Sequence, residues 1–196
     1  MKELFQNKYR ITSARLKNWD YAASASYFIT ICTANREHFF GEIIEGEMNL
    51  SVLGNIVEQE WIKTIEIRPD MNLSLGEFIV MPNHFHAIIF IGENGYNIKT
   101  EKHCRDAMHC RDAMHGVSTV QTNTGNTFGP QSKNLGSVIR GFKSSVTTFA
   151  RKNNLLFEWQ PRFHDHIIRN EMEYNRISNY IINNPSKWKE DKFYVQ

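Results

Sequence analysis

The sequence is poor in cysteine and proline and has no long apolar run. Its 196 residues include three cysteines, Cys32, Cys104 and Cys110, and five prolines. So small and odd a number of cysteines argues against a disulfide framework. No segment approaches the ~20 consecutive apolar residues that cross a bilayer, and the N-terminal stretch lacks the apolar core of a signal peptide. We therefore predict a cytoplasmic protein with no membrane partner.

The net charge is also small, +2 at neutral pH, and by itself indicates no polyanionic partner. The distribution of charge is more informative. No acidic residue lies between Asp112 and Glu158, while that interval contains the basic residues Lys133, Arg140, Lys143, Arg151 and Lys152. A cationic surface of this kind suits nucleic acid. On charge alone, a solvated helix face explains the same pattern equally well.

Apolar periodicity and capping residues predict an alternation of strands and helices. The chain length fits one domain, residues 1–196, with a substantial core. Ser51 is a candidate N-cap and Pro69 a stop for the first helix, whose apolar stripe includes Ile65. The predicted elements are a strand at 27–33, a possible hairpin at 39–50, a helix at 51–67, a strand pair within 79–91, a helix at 135–153, a short strand at 155–159, and a final helix between Asn170 and Pro185.

Residues 92–134 differ from the rest and are predicted to form a flexible inserted loop. They are rich in Gly, Asn, Thr and Ser and contain a tandem hexapeptide, HCRDAM, at 103–108 and 109–114. Cysteine next to histidine raises the possibility of zinc. However, His-Cys pairs six residues apart do not match the ligand spacing of zinc fingers or ribbons. The repeat is better explained as a duplication tolerated in a loop.

The most distinctive stretch is Val80 to Ile91, VMPNHFHAIIFI, which places two histidines at the start of an apolar strand. Alternate side chains of a strand share a face, so His84 and His86 point the same way and Phe85 points to the opposite layer. Two neighbouring imidazoles can bind one divalent metal ion. Such a pair also occurs by chance, and His164 and His166 form a second one, so a rival site there stays open.

The final helix offers a third ligand and a nucleophile. Tyr180 and Asn184 are four residues apart and therefore lie on one helical face. A tyrosine acts as a nucleophile through its phenolate when a metal or cationic neighbours favour the charged form. The alternative is that Tyr180 is a packing residue and that Asn184 is a cap before Pro185.

Several motifs together resemble the single-tyrosine HUH transposases, and more closely the REP-associated tyrosine transposases. The resemblance covers most of the chain from about residue 27 to residue 191, apart from the loop at 92–134. It is carried by MPNHFH at 81–86, YFITICT at 27–33 with Asn35-Arg36, GSVIRGFK at 136–143, WQPRF at 159–163, DHIIR at 165–169 and YIINNP at 180–185.

The resemblance implies a role for each matching residue. His84 and His86 would bind Mg²⁺ or Mn²⁺, with Asn184 as the third ligand, and Tyr180 would be the nucleophile. His166 would support the site. Four basic residues would contact the DNA backbone, although each could instead form a surface ion pair: Arg140, Lys143, Arg162 and Arg169.

The family fold implied by the resemblance is α+β, an antiparallel sheet of ferredoxin or RNA-recognition type with the helices on one face and the histidine strand central. The implied activity is cutting and rejoining single-stranded or hairpin DNA through a 5′-phosphotyrosine. Two alternatives stay open, a non-catalytic DNA-hairpin-binding protein and a hydrolase that uses water instead of Tyr180. Both a monomer and a homodimer are compatible with the resemblance.

Overall fold

The computed structural model describes residue 16 and residues 19–98 and 132–194. Most of the basic N-terminal stretch and the hexapeptide repeat lie outside these residues. In chain order, the elements of the described part are β1 (Ala25–Cys32), β2 (Gly41–Ile44), β3 (Glu47–Leu50), α1 (Val52–Ile67), β4 (Leu73–Met81), β5 (His84–Ile91), α2 (Leu135–Lys152), β6 (His164–Ile168) and α3 (Glu171–Ile182). Short 3-10 helices cover Ala34–Arg36, Pro69–Met71 and Pro185–Glu190.

Four strands form one antiparallel sheet in the order β4-β5-β1-β6, and β2 and β3 form a separate hairpin. The histidine strand β5 is therefore an interior strand, paired with β1 on one side and β4 on the other. Nearly every residue of β5 is buried, because both faces of the sheet are covered. The predicted α+β class, with an antiparallel sheet and the histidine motif on a central strand, is confirmed.

One face of the sheet packs against α1 and α2 and carries the larger apolar core. Phe85 of β5 contacts Trp61 of α1 and Phe142 of α2, with ring centroids 5.1 and 5.4 Å away. These contacts follow from the strand alternation, which turns Phe85 away from the histidines. The stripe predicted for α1 was wrong at its end, since Thr64 is buried while Ile65 is exposed.

The opposite face of the sheet packs against α3, so the expectation that all helices share one face was wrong. Ile177 and Ile181 of α3 cluster with Ile88 of β5 and Ile168 of β6. Since His84 and His86 have the same strand parity as Ile88, they lie on the α3 face. The final helix is thereby placed directly over the histidine strand.

The predicted strand at 155–159 was also wrong, because the fourth strand of the sheet is β6 at 164–168. Within 155–159, only Trp159 forms a bridge, to Thr33. Phe157 and Trp159 instead pack their rings on each other and on Phe40. The apolar residues of this segment therefore belong to a cluster of aromatic side chains in an irregular stretch and not to a regular strand.

The helix starts follow the predicted capping chemistry. The side chain of Ser51 accepts from the Gly54 backbone N–H, and that of Asn170 accepts from the Glu173 N–H. Asn134, which was not predicted as a cap, forms a capping box with Ser137 at the start of α2. No helix in the described part of the chain is both long and apolar enough to cross a membrane.

The two described flanks of the predicted loop meet at one place. Before the gap, Asn97 Nδ2 donates to the Ala22 carbonyl oxygen. After it, the Leu135 N–H donates to the Tyr21 carbonyl oxygen, and the Lys133 ammonium lies 4.0 Å from the centroid of the Tyr96 ring. The first of these flanks directly follows the end of β5 that is remote from His84.

Candidate active site

Asn83, in the turn between β4 and β5, fixes the orientation of His84. The Asn83 Nδ2 donates to the carbonyl oxygens of Arg36 and Phe193, at 3.2 and 2.9 Å. Its Oδ1 therefore faces His84 Nδ1, at 2.9 Å. Because an amide oxygen only accepts, Nδ1 carries the ring proton and Nε2 keeps its lone pair. The Nε2 atom is buried and has no hydrogen-bond partner among the described residues.

His86 lies beside His84, with ring centroids 4.4 Å apart. Its Nδ1 is 2.9 Å from Oγ1 of Thr30, its partner across the β1–β5 ladder. Its Nε2 is 3.1 Å from the Tyr180 hydroxyl oxygen. A threonine hydroxyl both donates and accepts, so Thr30 supports either tautomer of His86. The ring can thus release Nε2 as a ligand atom without losing its partner on Nδ1.

Burial keeps both imidazoles neutral at neutral pH. Desolvation, followed by the neighbouring charge of His86, lowers the pKa of His84 well below its usual value. Desolvation lowers the pKa of His86 to about 3, and the Asp191 carboxylate only partly opposes this. Neutral imidazole is the form that binds metals.

This burial predicts that the metal-free protein loses stability in acid. The pKa of His86 in the folded protein lies below its value in the unfolded chain. Below about pH 6.5, the unfolded chain therefore binds a proton at His86 while the folded protein does not. Stability should fall from about pH 6.5 towards pH 3, by about 2 kcal/mol at pH 5 from His86 alone, with His84 adding in the same direction. Urea unfolding in EDTA at pH 7 and pH 5 measures this. In His86→Gln the difference between the two pH values should shrink by about 2 kcal/mol, and an unchanged difference would contradict the prediction.

Tyr180 reaches the histidines from α3. Its side chain is 39% exposed, and its ring packs edge-on against Phe28 and His86. The hydroxyl donates to Asp191 Oδ2 at 3.0 Å. Burial, then the charge and hydrogen bond of Asp191, raise the pKa of the phenol. Tyr180 is therefore a neutral phenol at rest, on a partly exposed side chain and with its oxygen next to His86.

The segment after α3 closes the site from the other side. Trp188, in the 3-10 helix, and Phe193 are buried, and their ring centroids lie 5.8 and 4.5 Å from that of His84. This segment supplies Asp191, whose Oδ1 accepts from the Phe193 N–H at 2.7 Å. Its Oδ2 accepts from Asn184 Nδ2 at 2.9 Å.

The donor set fits a divalent metal ion. Ligand atoms of His84, His86 and Asp191 all lie within 4.8 Å of one another. The buried Asn184 Oδ1 and His84 Nε2 have no hydrogen-bond partner in the described part of the chain. An unsatisfied buried polar atom is destabilising unless something binds it. Imidazole nitrogens with amide or carboxylate oxygens can together bind such an ion.

The predicted supporting and DNA-contacting residues lie away from this cluster. His166 Nε2 pairs with Glu173 Oε1 at 2.7 Å, and Arg169 donates its backbone N–H to Oε2 of the same carboxylate. Arg140 is exposed on α2, and Arg162 is exposed in the segment before β6. These residues lie on α2, on β6 and in the segments that flank β6, whereas the histidines, Tyr180 and Asp191 lie on β5, on α3 and in the segment after α3.

Lys143 has a different environment from the other basic residues. Its ammonium donates to the carbonyl oxygens of Gln160 and Arg162, at 2.7 and 3.0 Å. Desolvation lowers the pKa of Lys143 to about 8. Its hydrogen bonds thus tie the segment before β6 to α2.

We expect Lys143→Met to lower the free energy of unfolding by about 2 kcal/mol, because two charge-assisted hydrogen bonds are lost and two carbonyls lose a donor. Arg151→Met, at an exposed position on the same helix, should change stability by less than about 0.5 kcal/mol. Urea titrations of both variants measure the difference. Equal stabilities would show that the Lys143 contacts contribute nothing.

Three residues of the site were not predicted from the sequence. Asn83 and Thr30 carry no periodic signal, although Asn83 adjoins the histidine motif. Asp191 lies in a charged tail of the kind that usually faces solvent, and only the burial of Trp188 and Phe193 on either side of it brings it inward. An acidic residue between two aromatic anchors is the signal that could have found it.

Comparison with known proteins finds a relative by sequence and a solved structure with a similar fold. No family model matches the chain. An uncharacterized protein of Haemophilus influenzae is 39% identical over 184 residues, which cover 93% of this chain and 92% of that protein. A solved structure of a REP-associated tyrosine transposase bound to a REP hairpin superposes with a TM-score of 0.53 at 18% identity, covering 91% of this chain and 76% of the other. At that identity, the similarity shows a shared fold.

Proposed function

The chain belongs to the same family as the Haemophilus influenzae protein, and we propose that it is a transposase that cuts and rejoins single-stranded hairpin DNA through Tyr180. One observation carries the proposal: the hydroxyl of a partly exposed tyrosine lies 3.1 Å from a buried histidine of a His-x-His pair. The fold shared with a hairpin-bound tyrosine transposase supports DNA as the substrate.

The metal would be Mg²⁺ or Mn²⁺, held by His84, His86 and Asn184. When bound, such an ion polarises a phosphate oxygen and stabilises the charge that develops there. Two imidazoles and an amide are neutral ligands, so they do not offset the positive charge that the ion would present to a phosphate.

The protein's own groups perform the transfer. The Tyr180 oxygen attacks the phosphorus and loses its proton, and the P–O bond to the 3′ oxygen breaks. The leaving 3′ oxygen takes up a proton and becomes a hydroxyl, while the 5′ phosphate stays on Tyr180. A 3′-hydroxyl of another strand then attacks the phosphotyrosine and restores the phenol, so the bond energy is kept. Tyr180 meets His86 of the same chain, so we expect cleavage in cis.

Two cations beside the histidines suit an incoming phosphate. The Arg36 guanidinium and the Lys192 ammonium lie 4.6 and 4.8 Å from the centroid of the Phe193 ring. Arg36 also donates to the Lys192 carbonyl oxygen at 3.1 Å. Both cations help to lower the pKa of His84, which supports a role for their charge near the proposed metal ligands.

The test is a search for a covalent protein–DNA adduct. Hairpins with randomised single-stranded flanks are incubated with the protein in Mn²⁺ or in EDTA, and adducts that survive denaturation are isolated and sequenced. We expect Mn²⁺-dependent adducts on one class of strand, with the DNA linked to Tyr180 by mass spectrometry. Cleavage without an adduct would indicate a water-using hydrolase. Strands that are bound but never cut would indicate a hairpin-binding protein.

A further inference from the structure

Asp191 joins the proposed nucleophile and a proposed metal ligand through a single oxygen atom. Its Oδ2 accepts from the Tyr180 hydroxyl at 3.0 Å and from Asn184 Nδ2 at 2.9 Å. We propose that Asp191 is a positioning residue, which holds the attacking oxygen and the Asn184 amide in the orientation that the reaction needs. This inference rests on the proposed function and extends it to a residue outside the tyrosine helix.

The carboxylate is itself held in place. Its second oxygen accepts from the Phe193 N–H at 2.7 Å, and the Phe193 carbonyl accepts from Asn83 Nδ2. Asn83 in turn orients His84. A continuous set of hydrogen bonds thus runs from the histidine turn through Phe193 to Asp191. A side chain fixed at both oxygens can impose geometry on its partners.

For Asn184, this contact decides which end of the amide faces the site. Because Nδ2 is engaged by Asp191, Oδ1 is the end left over, and it is buried without a partner in the described structure. The Asn184 side chain is only 3% exposed. Oxygen is the amide atom that binds a divalent metal. Without Asp191, the amide would lose the acceptor that selects this orientation.

For Tyr180, the contact sets the direction of the hydroxyl. The side chain is partly exposed, and what holds it to the described part of the sheet is the aromatic packing on Phe28 and His86 and the contact of its hydroxyl with His86 Nε2. The hydrogen bond to Asp191 adds a fixed acceptor next to His86. Holding a nucleophile in line with its target lowers the entropic part of the barrier.

A direct metal-ligand role for Asp191 is the competing explanation, since its carboxylate lies within 4.8 Å of the histidine nitrogens. The two roles differ in what the residue controls. Loss of a ligand weakens metal binding by at least about 100-fold, whereas loss of a positioning residue weakens it less and also changes the reaction rate at saturating metal and the environment of Tyr180. Asp191 Oδ2 already accepts two hydrogen bonds, while Asn184 Oδ1 accepts none, which favours positioning.

The experiment compares Asp191→Ala, Asp191→Asn and the neighbouring exposed control Glu190→Ala. Mn²⁺ affinity is measured by electron paramagnetic resonance. Protein labelled with 3-fluorotyrosine reports the Tyr180 environment by ¹⁹F NMR, with the resonance assigned through Tyr180→Phe. Single-turnover cleavage is measured at saturating Mn²⁺. The ¹⁹F spectrum also reports folding, since the tyrosines remote from the site should keep their shifts.

We expect Asp191→Ala to shift the Tyr180 resonance, to slow cleavage at saturating Mn²⁺ about 10- to 100-fold and to weaken Mn²⁺ binding by less than about 100-fold, because the Asn184 amide loses the acceptor that orients it but no ligand is removed. Asp191→Asn keeps one acceptor oxygen and should restore part of the rate, and Glu190→Ala should match the wild type. A loss of Mn²⁺ affinity above about 100-fold, as expected for a lost ligand, or an unchanged Tyr180 resonance, would overturn the proposal. The affinity and NMR measurements need no DNA, so they decide the inference even if the protein forms no adduct.

Discussion

Replacing Tyr180 with phenylalanine is expected to abolish the covalent adduct and to slow cleavage at least ~10³-fold, the scale of loss seen when a nucleophile is removed. The phenylalanine ring keeps the packing on Phe28 and His86. Only the hydroxyl is lost, and with it the hydrogen bonds to Asp191 Oδ2 and His86 Nε2. Stability should therefore fall by only about 1–2 kcal/mol, and DNA binding should stay within about 2-fold of wild type because no cationic group changes.

Tyr174→Phe is the matched control for this variant. Tyr174 lies on the same helix, but its ring packs against Phe90, near the end of β5 that is remote from His84. It should cleave at the wild-type rate. Both variants are measured by single-turnover kinetics on an identified substrate strand. Cleavage that survives in Tyr180→Phe would mean that water, and not the phenol, attacks the phosphate.

The second large effect concerns metal binding. We expect His86→Ala to weaken Mn²⁺ binding at least ~100-fold, more than the 10- to 100-fold typical of losing a group that only supports a ligand. His86 is buried and its Nε2 faces the cluster that includes His84 and Asp191. Its partner Thr30 would lose one hydrogen bond, so folding is checked by circular dichroism before the titration.

His166→Ala separates this site from the rival histidine pair. His166 lies on β6, is largely exposed and pairs with Glu173 at the start of α3. Its removal should leave Mn²⁺ affinity unchanged within about 2-fold, because no ligand is lost. Titrations of the two alanine variants followed by electron paramagnetic resonance give the comparison. If His166→Ala lost Mn²⁺ binding while His86→Ala retained it, the metal site would be assigned to His164 and His166.

Local signals in the sequence were sufficient to locate much of this fold. The helix that begins after Ser51 and the final helix after Asn170 follow from side-chain caps, and the strand parity of His84 and His86 follows from alternation. The strand at 164–168 was missed because His164, Asp165 and His166 interrupt its apolar pattern. The apolar and aromatic residues at 155–159 have the composition of a strand, but they pack as an aromatic cluster in an irregular segment.

Tertiary arrangement limited the prediction of the site. No local pattern states that α3 covers the face opposite α1 and α2, which is what brings Tyr180 to His86. From its position in the sequence, Lys143 was expected to be a surface cation, yet its ammonium donates hydrogen bonds to two backbone carbonyls. Asp191 enters the site only because aromatic anchors fold the tail back. Each of these facts depends on contacts between residues far apart in sequence.

The meeting of the two flanks around residues 99–131 has a consequence for how the chain tolerates changes in length. Asn97 and Leu135 are both tied to the Tyr21–Ala22 backbone, and Lys133 stacks on Tyr96, so the ends that any intervening segment must join are fixed by the fold. Loop-closure entropy grows only logarithmically, and doubling such a segment costs about 0.6 kcal/mol. The strand β5 separates this junction from His84 by roughly 23 Å, at ~3.3 Å per residue. Gain or loss of a six-residue unit there is therefore close to neutral for folding and remote from the reaction.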